Sequence, residues 1–214
     1  MKRETTTKQK KVPKLINPCD SKAMNDLDDN EVIVLTRQKN QECYQEIVKR
    51  YQKRLSAYLY HLVGNKEEVE DVLQEVFVKV YKNIKKFDVN QKFSSWIYRI
   101  AHNEAVNFLK KKTRRRLVSW EDIISYKDQM ALQEEQGQES SMDVWMRKER
   151  RQEVKDAIAK LPKKYRAVLA LRYECVHSYQ EMAEILGKPT NTVGTLLRRA
   201  KKRLVTVLNE QDVL

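Results

Sequence analysis

Glycine and proline are scarce in this 214-residue sequence, with only four of each. β-rich and Rossmann-type folds need many turn residues, so this scarcity argues against both. No apolar run approaches the ~18 residues of a membrane-spanning helix, and the basic N-terminal residues lack the apolar stretch of a signal peptide. Cys19, Cys43 and Cys175 are far apart and form no CxxC pair, which supports neither a disulfide framework nor a zinc cluster. We therefore expect a soluble cytoplasmic protein with reduced cysteines and no membrane insertion.

The charge of the chain is strongly positive and is arranged in blocks. It has 43 basic and 30 acidic residues, a formal net charge of +13. Three segments are strongly basic, namely residues 1–22, 98–116 and 188–203, whereas residues 121–145 have seven acidic residues and one lysine. Such basic blocks favour polyanion binding, because neutralised phosphates release counterions. The alternative is that each block is only a solvated face.

The hydrophobic pattern predicts an all-α fold with two small helical domains joined by a flexible linker. Residues 1–25 are expected to form a disordered basic tail, and residues 26–112 a first helical domain. Residues 113–142 are predicted to be an acidic linker, and residues 143–214 a second helical domain. No internal repeat is visible.

The clearest amphipathic helix runs from Glu67 to Ile84, with Asn65 as its predicted N-cap. Its opposite face carries Glu67, Asp71 and Glu75 at four-residue steps, beside Gln74. Like charges at that spacing are mildly destabilising, so the acidic stripe favours a basic partner surface over a merely solvated face. The predicted buried face comprises Val69, Val72, Leu73, Val76, Phe77, Val80, Tyr81 and Ile84.

A second helix is predicted from a cap at Ser94 or Ser95 to about Lys112. Its expected core stripe is Ile97, Ile100, Ala101, Ala105, Phe108 and Leu109. Another face carries Arg99, Asn103 and Asn107, with His102 adjacent. Arginine and asparagine can bond phosphates or base edges. The aromatic residues Phe93, Trp96 and Tyr98 either stack unpaired bases or belong to the core.

These segments together resemble region 2 of the extracytoplasmic-function (ECF) sigma factors. The motif comprises Glu70, Asp71, Gln74, Glu75 and Phe77, followed by Trp96 and by residues 100–103 (IAHN). The resemblance implies that Asp71, Gln74 and Glu75 dock on the clamp of the RNA polymerase β′ subunit. It also implies that the loop at 87–92 and the helix after it read and open the −10 promoter element. The implied −10 residues are Lys92, Trp96, Arg99, Asn103, Asn107 and Lys110, of which Asn107 and Lys110 replace the Asp and Arg common in the family.

Residues 178–203 read as a helix-turn-helix. Ser178 and Glu181 form a predicted capping box, Gly187 and Pro189 break the first helix, and a second, basic helix follows. A basic helix after a short turn can enter a major groove. The alternative is a generic helical hairpin with a basic end.

This second segment resembles sigma region 4, which implies recognition of the −35 element. The implied contacts are Thr190, Asn191, Thr192, Thr195, Arg198, Arg199 and Lys202. Gly194 and Leu196 depart from the family pattern, where basic or polar residues are common, so we expect an unusual −35 preference, weaker direct readout or fewer phosphate contacts. The acidic stretch of the linker is either a nucleic-acid mimic or a plain tether.

The resemblance implies a bacterial sigma factor that binds core RNA polymerase (β′ clamp and β flap) and promoter DNA, under control of an anti-sigma factor. It also implies no catalytic residues, no metal and no cofactor. The alternative function is a stand-alone helix-turn-helix DNA-binding regulator. A nucleic-acid-processing enzyme is disfavoured, because the carboxylates fall on one stripe and His61, His102 and His177 are scattered.

Overall fold

The computed structural model describes residues 26–38, 41–116 and 152–211. The predicted basic tail and most of the predicted linker lie outside these ranges. The helices of the first module are α1 (Asp29–Arg37), α2 (Tyr44–Val63), α3 (Lys66–Asn83) and α4 (Phe93–Arg116), with short 3₁₀ turns at Gln41–Cys43 and Ile84–Lys86. The second module comprises α5 (residues 152–159), α6 (Lys163–Leu169), a π-helical turn (Ala170–Glu174), α7 (Tyr179–Leu186) and α8 (Thr190–Gln211).

The first module is a helical bundle in which α2, α3 and α4 pack against one another and α1 closes one side. Each helix contributes its apolar stripe, and the buried residues of α3 include Val72, Val76 and Val80. The Asn65 side chain accepts the amide hydrogen of Glu68, which confirms the predicted N-cap of α3. The loop between α3 and α4 is held by Arg37, which donates to the backbone carbonyl oxygens of Ile84 and Phe87. This loop is thereby fixed beside the start of α4.

The second module is built around the predicted helix-turn-helix, α7 and α8, with α6 packed on α8. Ser178 accepts the Glu181 amide hydrogen, and the Glu181 carboxylate accepts that of Ser178, so the capping box is confirmed. Gly187 ends α7 with φ of +59°, a left-handed conformation that glycine adopts without steric cost. The turn from Gly187 to Pro189 therefore sets the angle at which α8 leaves α7.

The all-α fold is confirmed over the described residues, which contain no strand, but three local predictions were wrong. Neither Ser94 nor Ser95 caps α4, because the helix already begins at Phe93 and the Ser95 hydroxyl is buried inside it. Helix α4 also continues to Arg116, four residues into the predicted linker. Tyr81, predicted to be buried, is 38% exposed and lies edge-on against Tyr44 on the outside of the bundle.

The two modules are in direct contact over the described part of the chain. Helix α4 packs against α7, and α2 packs against α6 and the π-helical turn. The buried residues of both modules form one continuous hydrophobic cluster. None of the helices described is long and apolar enough to cross a membrane.

Candidate nucleic-acid interface

The acidic stripe of α3 lies on the outer face of the bundle. Asp71, Gln74 and Glu75 are all exposed, whereas the next residues around the helix, Val72, Leu73 and Val76, are buried. Within the described ranges, neither carboxylate of the stripe forms an ion pair. A solvated structural helix would more often balance such charges with lysines at i+4. The stripe is therefore free to meet a basic partner.

An apolar residue, Val78, extends this stripe by one turn and was missed in the sequence analysis. It is 46% exposed, and it follows Gln74 by four residues and Glu75 by three. Tyr81 is exposed three residues further on. The sequence did contain a signal for this extension, because Val78 and Tyr81 continue the three- and four-residue spacing of the acidic stripe. Both side chains are apolar, however, which favours the core over an exposed face. Together these residues form a surface with an acidic half and an apolar half.

Helix α4 presents a polar face to solvent on which four of the implied −10 residues align. Arg99, Asn103, Asn107 and Lys110 are exposed and lie three or four residues apart. One side of the helix thus offers two cationic groups and two amides, which can bond phosphates or base edges.

Trp96 lies at the start of this face and is half-buried. Its ring centroid is 5.0 Å from that of Phe87 and 5.6 Å from that of Phe93, so the three rings form one cluster. Phe87 and Phe93 are buried and belong to the core, whereas Trp96 keeps one side open.

A cavity of about 270 Å³ opens beside Trp96, between the end of α3 and the first turns of α4. Ile100 and Trp96 give it an apolar wall, and Asn103 and the Lys79–Glu104 ion pair (2.7 Å) give it a polar rim. An apolar wall with amide and charged groups at its edge is suited to an unstacked base. The remaining lining residues are Asn83 and Lys86.

Lys92, the implied −10 residue in the loop before α4, is exposed and forms an ion pair with the second module. Its ammonium nitrogen lies 2.6 Å from a carboxylate oxygen of Glu181 on α7. The hydrogen bond and the charge of Glu181 raise the pKa of Lys92. Burial by itself raises the pKa of Glu181, but hydrogen bonds from Lys92 and Ser178 outweigh it and lower that pKa to about 2.

Helix α8 exposes the residues implied for the −35 element. They are Thr190, Asn191, Thr192, Thr195, Arg198, Arg199 and Lys202. Its opposite side buries Val193, Leu197 and Ala200 against α6 and α7. The Thr195 hydroxyl donates to the backbone carbonyl oxygen of Asn191 (3.0 Å), which leaves the hydroxyl oxygen available as an acceptor.

The two departures in α8 have different structural settings. Leu196 is partly buried and packs against the core, so its apolar side chain is used for packing. A Cβ atom at Gly194 would lie 3.8 Å from the Tyr179 ring, an ordinary van der Waals contact. No close contact therefore requires glycine at this position.

Of two residues that the sequence placed near the −10 surface, Tyr98 belongs to the interior and His102 is partly buried. Tyr98 is 2% exposed, and its ring packs on the ring of His177 in the second module. His102 is hydrogen-bonded to the Tyr58 hydroxyl through Nδ1 at 2.9 Å. Burial, together with the charge of Lys188, lowers the pKa of His102 to about 4. His102 is thus a neutral structural residue at neutral pH.

Comparison with known proteins agrees with this arrangement. The Sigma-70 region 2 family profile matches residues 47–115, and the Sigma-70 region 4 profile matches residues 151–204. The ECF RNA polymerase sigma factor SigW of Bacillus subtilis (strain 168) is 34% identical over 77% of this chain and 88% of the relative. The ECF RNA polymerase sigma-E factor of Escherichia coli (strain K12) is 32% identical over 83% of this chain and 93% of the relative.

Solved structures of sigma factors share the fold. The sigma factor RpoE, in complex with the anti-sigma factor NepR from Bartonella quintana, aligns with a TM-score of 0.62 and 22% identity. That alignment covers 78% of this chain and 96% of RpoE. CnrH in complex with the cytosolic domain of CnrY aligns with a TM-score of 0.58 and 20% identity, covering 85% of this chain and 97% of CnrH.

A bundle with an acidic outer stripe and a polar helix face, followed by a basic helix-turn-helix, defines a sigma-type transcription initiation factor. The chain belongs to the Sigma-70 family, and within it to the ECF sigma factors. It directs RNA polymerase to promoters, and the alternative of a stand-alone helix-turn-helix regulator is not favoured, because both sigma regions match in order.

Proposed function

We propose that the acidic stripe of α3 is the surface by which this sigma factor holds core RNA polymerase. The observation that carries this assignment is the exposure of Asp71, Gln74 and Glu75 on one helix face without internal ion pairs among the described residues. A basic coiled-coil surface, such as the clamp of the β′ subunit, fits the charge. Val78 and Tyr81 add an apolar edge that would be desolvated in the complex, as the centres of stable interfaces are.

The −10 element is read by α4 and by the loop that precedes it. Arg99 and Lys110 bond phosphates and fix the strand along the helix, while Asn103 and Asn107 lie where base edges would pass. A base flipped out of the exposed strand enters the cavity beside Trp96, where the indole ring stacks on it. Unstacking a base costs a few kcal/mol, and the stacked, partly enclosed position offsets this cost.

The −35 element is read in the major groove by α8. In this proposal Thr195 and Arg199, both exposed, contact base edges, and the remaining implied contacts hold phosphates. Because Gly194 and Leu196 add no polar group, fewer direct contacts reach the DNA than in relatives with basic residues there. The region 4 module would also carry the β-flap contact.

The protein supplies no bond-making step, because the polymerase forms the phosphodiester bonds. It acts where the polymerase acts, in the bacterial cytoplasm.

Residues 26–112 form the module for polymerase and the −10 element, and residues 143–214 form the module for the −35 element. The structural relative RpoE was solved in complex with the anti-sigma factor NepR. Regulation by such a protein is part of this proposal.

The polymerase assignment is tested by reversing the stripe charges with Asp71→Lys/Glu75→Lys. Both side chains are exposed, so the fold should survive while binding to purified core polymerase falls at least tenfold. Glu153→Lys/Glu210→Lys is the matched control, since it makes the same charge change at exposed sites away from α3. Equal binding by the stripe variant and the control would refute the assignment. Loss of binding together with loss of the helical circular dichroism signal would show a folding defect. The milder variant Gln74→Ala would then distinguish a loss of polymerase contact from a loss of fold.

A further inference from the structure

The loop that joins α3 to α4 is irregular after its short 3₁₀ turn. Its internal hydrogen bonds are short-range. The backbone carbonyl oxygen of Asp88 accepts from the Gln91 amide (3.0 Å), and the Asp88 carboxylate accepts from the Asn90 amide (3.0 Å). Fixing an irregular segment in one conformation costs conformational entropy, so contacts from outside the loop contribute to its order.

Helix α1 provides such contacts at two points. Near the start of α1, the Asn30 side-chain amide donates to the backbone carbonyl oxygens of Val89 (2.8 Å) and Gln91 (3.4 Å). At the end of α1, Arg37 donates to two carbonyl oxygens at the beginning of the loop. Asn30 and Arg37 are seven residues apart, or about two helical turns, so they lie on the same face of α1. We call these two sets of contacts the α1 brace.

Helix α1 is itself anchored to the bundle through other residues. Val32 and Ile33 are fully buried. Asp29 accepts hydrogen bonds from the Tyr51 hydroxyl and from the Arg50 guanidinium (3.0 Å), both on α2. Because α1 is fixed in this way, the loop carbonyl groups that it binds cannot move without breaking hydrogen bonds. The brace therefore ties the loop to the core of the first module.

The braced loop supports the cavity beside Trp96. Lys86 lies in sequence between the two carbonyl groups that Arg37 binds, and it lines the cavity. The next residue, Phe87, is buried and packs its ring on Trp96, with centroids 5.0 Å apart. A shift of the loop would therefore move both a cationic group at the edge of the cavity and the support of its indole wall.

We propose that Asn30 and Arg37 are positioning residues for recognition of the −10 element, because they hold this loop so that the cavity beside Trp96 is formed before DNA binds. The inference rests on the proposed base-capture role of the cavity. A preformed cavity loses less conformational entropy when a base enters. A cavity held in one shape also excludes bases that fit poorly, whereas a loose loop adapts to several.

The substitution Asn30→Asp tests the brace and spares α1. Aspartate has nearly the same shape as asparagine, but its carboxylate cannot donate to a carbonyl oxygen. Asn30 is the second residue of α1, where a negative charge complements the helix dipole, so α1 should keep its stability. In the full-length free chain, nuclear magnetic resonance should show at least fivefold faster hydrogen exchange at the Asn90 and Gln91 amides. Gln45→Glu, the same charge change at the exposed second residue of α2, should leave this exchange unchanged.

Base preference is measured in the holoenzyme formed from the full-length protein and purified core polymerase. The probe is a pool of single-stranded DNA with eight randomised positions, and the bound strands are sequenced. The position whose preference is lost in Trp96→Leu is the captured one. There, Asn30→Asp should reduce the preference about fivefold, and Arg37→Ala, which removes two hydrogen bonds from a charged group, at least tenfold. Gln45→Glu should keep the preference, and all of these variants should bind core polymerase equally well.

The outcomes separate this inference from the proposed function. Unchanged exchange in Asn30→Asp overturns the brace. Base preference that is lost in Trp96→Leu but kept in Asn30→Asp and Arg37→Ala overturns the positioning role and leaves base capture standing. Base preference that survives Trp96→Leu at every position refutes base capture by the cavity, and the role of the brace in −10 recognition with it. If Arg37→Ala loses its helical circular dichroism signal, the result for Asn30→Asp decides.

Discussion

Mild acid should destabilise this protein through one partly buried histidine, His102. Nδ1 of His102 is hydrogen-bonded to the Tyr58 hydroxyl at 2.9 Å. A neutral imidazole can accept the hydroxyl hydrogen at this nitrogen, whereas a protonated imidazole can only donate. Burial and the nearby Lys188 charge lower its pKa from the usual 6.5 to about 4 in the folded state. Between these two values the unfolded chain binds a proton that the folded chain does not. Stability is therefore full above about pH 6.5 and falls as the pH decreases towards 4.

The size of the effect follows from the two pKa values. With 6.5 for the unfolded and about 4 for the folded state, the free energy of unfolding should fall by about 2 kcal/mol between pH 7.5 and pH 5. His177 adds to the loss, because burial lowers its pKa as well. Glu181 contributes little in this interval, since its unfolded pKa of 4.5 lies below it.

Urea unfolding followed by far-ultraviolet circular dichroism at the two pH values measures this difference. His102→Gln is the informative comparison, because the glutamine amide oxygen can accept from Tyr58 but does not titrate. We expect the variant to lose about 2 kcal/mol of the pH dependence while keeping most of its stability at pH 7.5. An identical pH dependence in both proteins would refute the reasoning. Nuclear magnetic resonance titration of the His102 ring protons gives the folded pKa directly.

Three further predictions concern the second module. Gly194→Ala should raise the free energy of unfolding by up to about 1 kcal/mol, because alanine is the better helix former and its Cβ makes only an ordinary contact with Tyr179. Thermal melting checks this prediction, and a lower melting temperature would contradict it. Ser178→Ala should cost about 1 kcal/mol in the same assay, because the Glu181 amide loses its cap; no change would mean that the cap is dispensable. Arg199→Ala should weaken promoter use by ~1–3 kcal/mol if this side chain reads a base edge; an equal loss on all promoter sequences would make it a phosphate contact.

Much of each module could be predicted from the sequence because its determinants are local. The helical period of α3 and the side chain of Asn65 fix that helix within one stretch of chain. Ser178, Glu181 and Gly187 do the same for α7. The exposure of the polar face of α4 and of the basic face of α8 followed from the same periodicity, since each is the side of a helix opposite to its apolar stripe.

The contact between the modules could not be predicted, because it joins residues far apart in the chain. Tyr98 and His102 fall off the apolar stripe of α4, and a helical pattern alone leaves them equally suited to DNA or to solvent. Tyr98 lies between Tyr58 of its own module and His177 of the second. The charge of Lys188 in the second module acts on His102, which is partly buried. Tyr81 shows the reverse error, since a large apolar residue at core spacing was assumed to be buried and remains half-open beside Tyr44.

The packing of α7 on α4 also joins the two modules into one folding unit. Because their buried residues form one cluster, unfolding of either module would expose apolar surface of the other. We therefore expect a single cooperative unfolding transition for the described helices rather than one transition for each module.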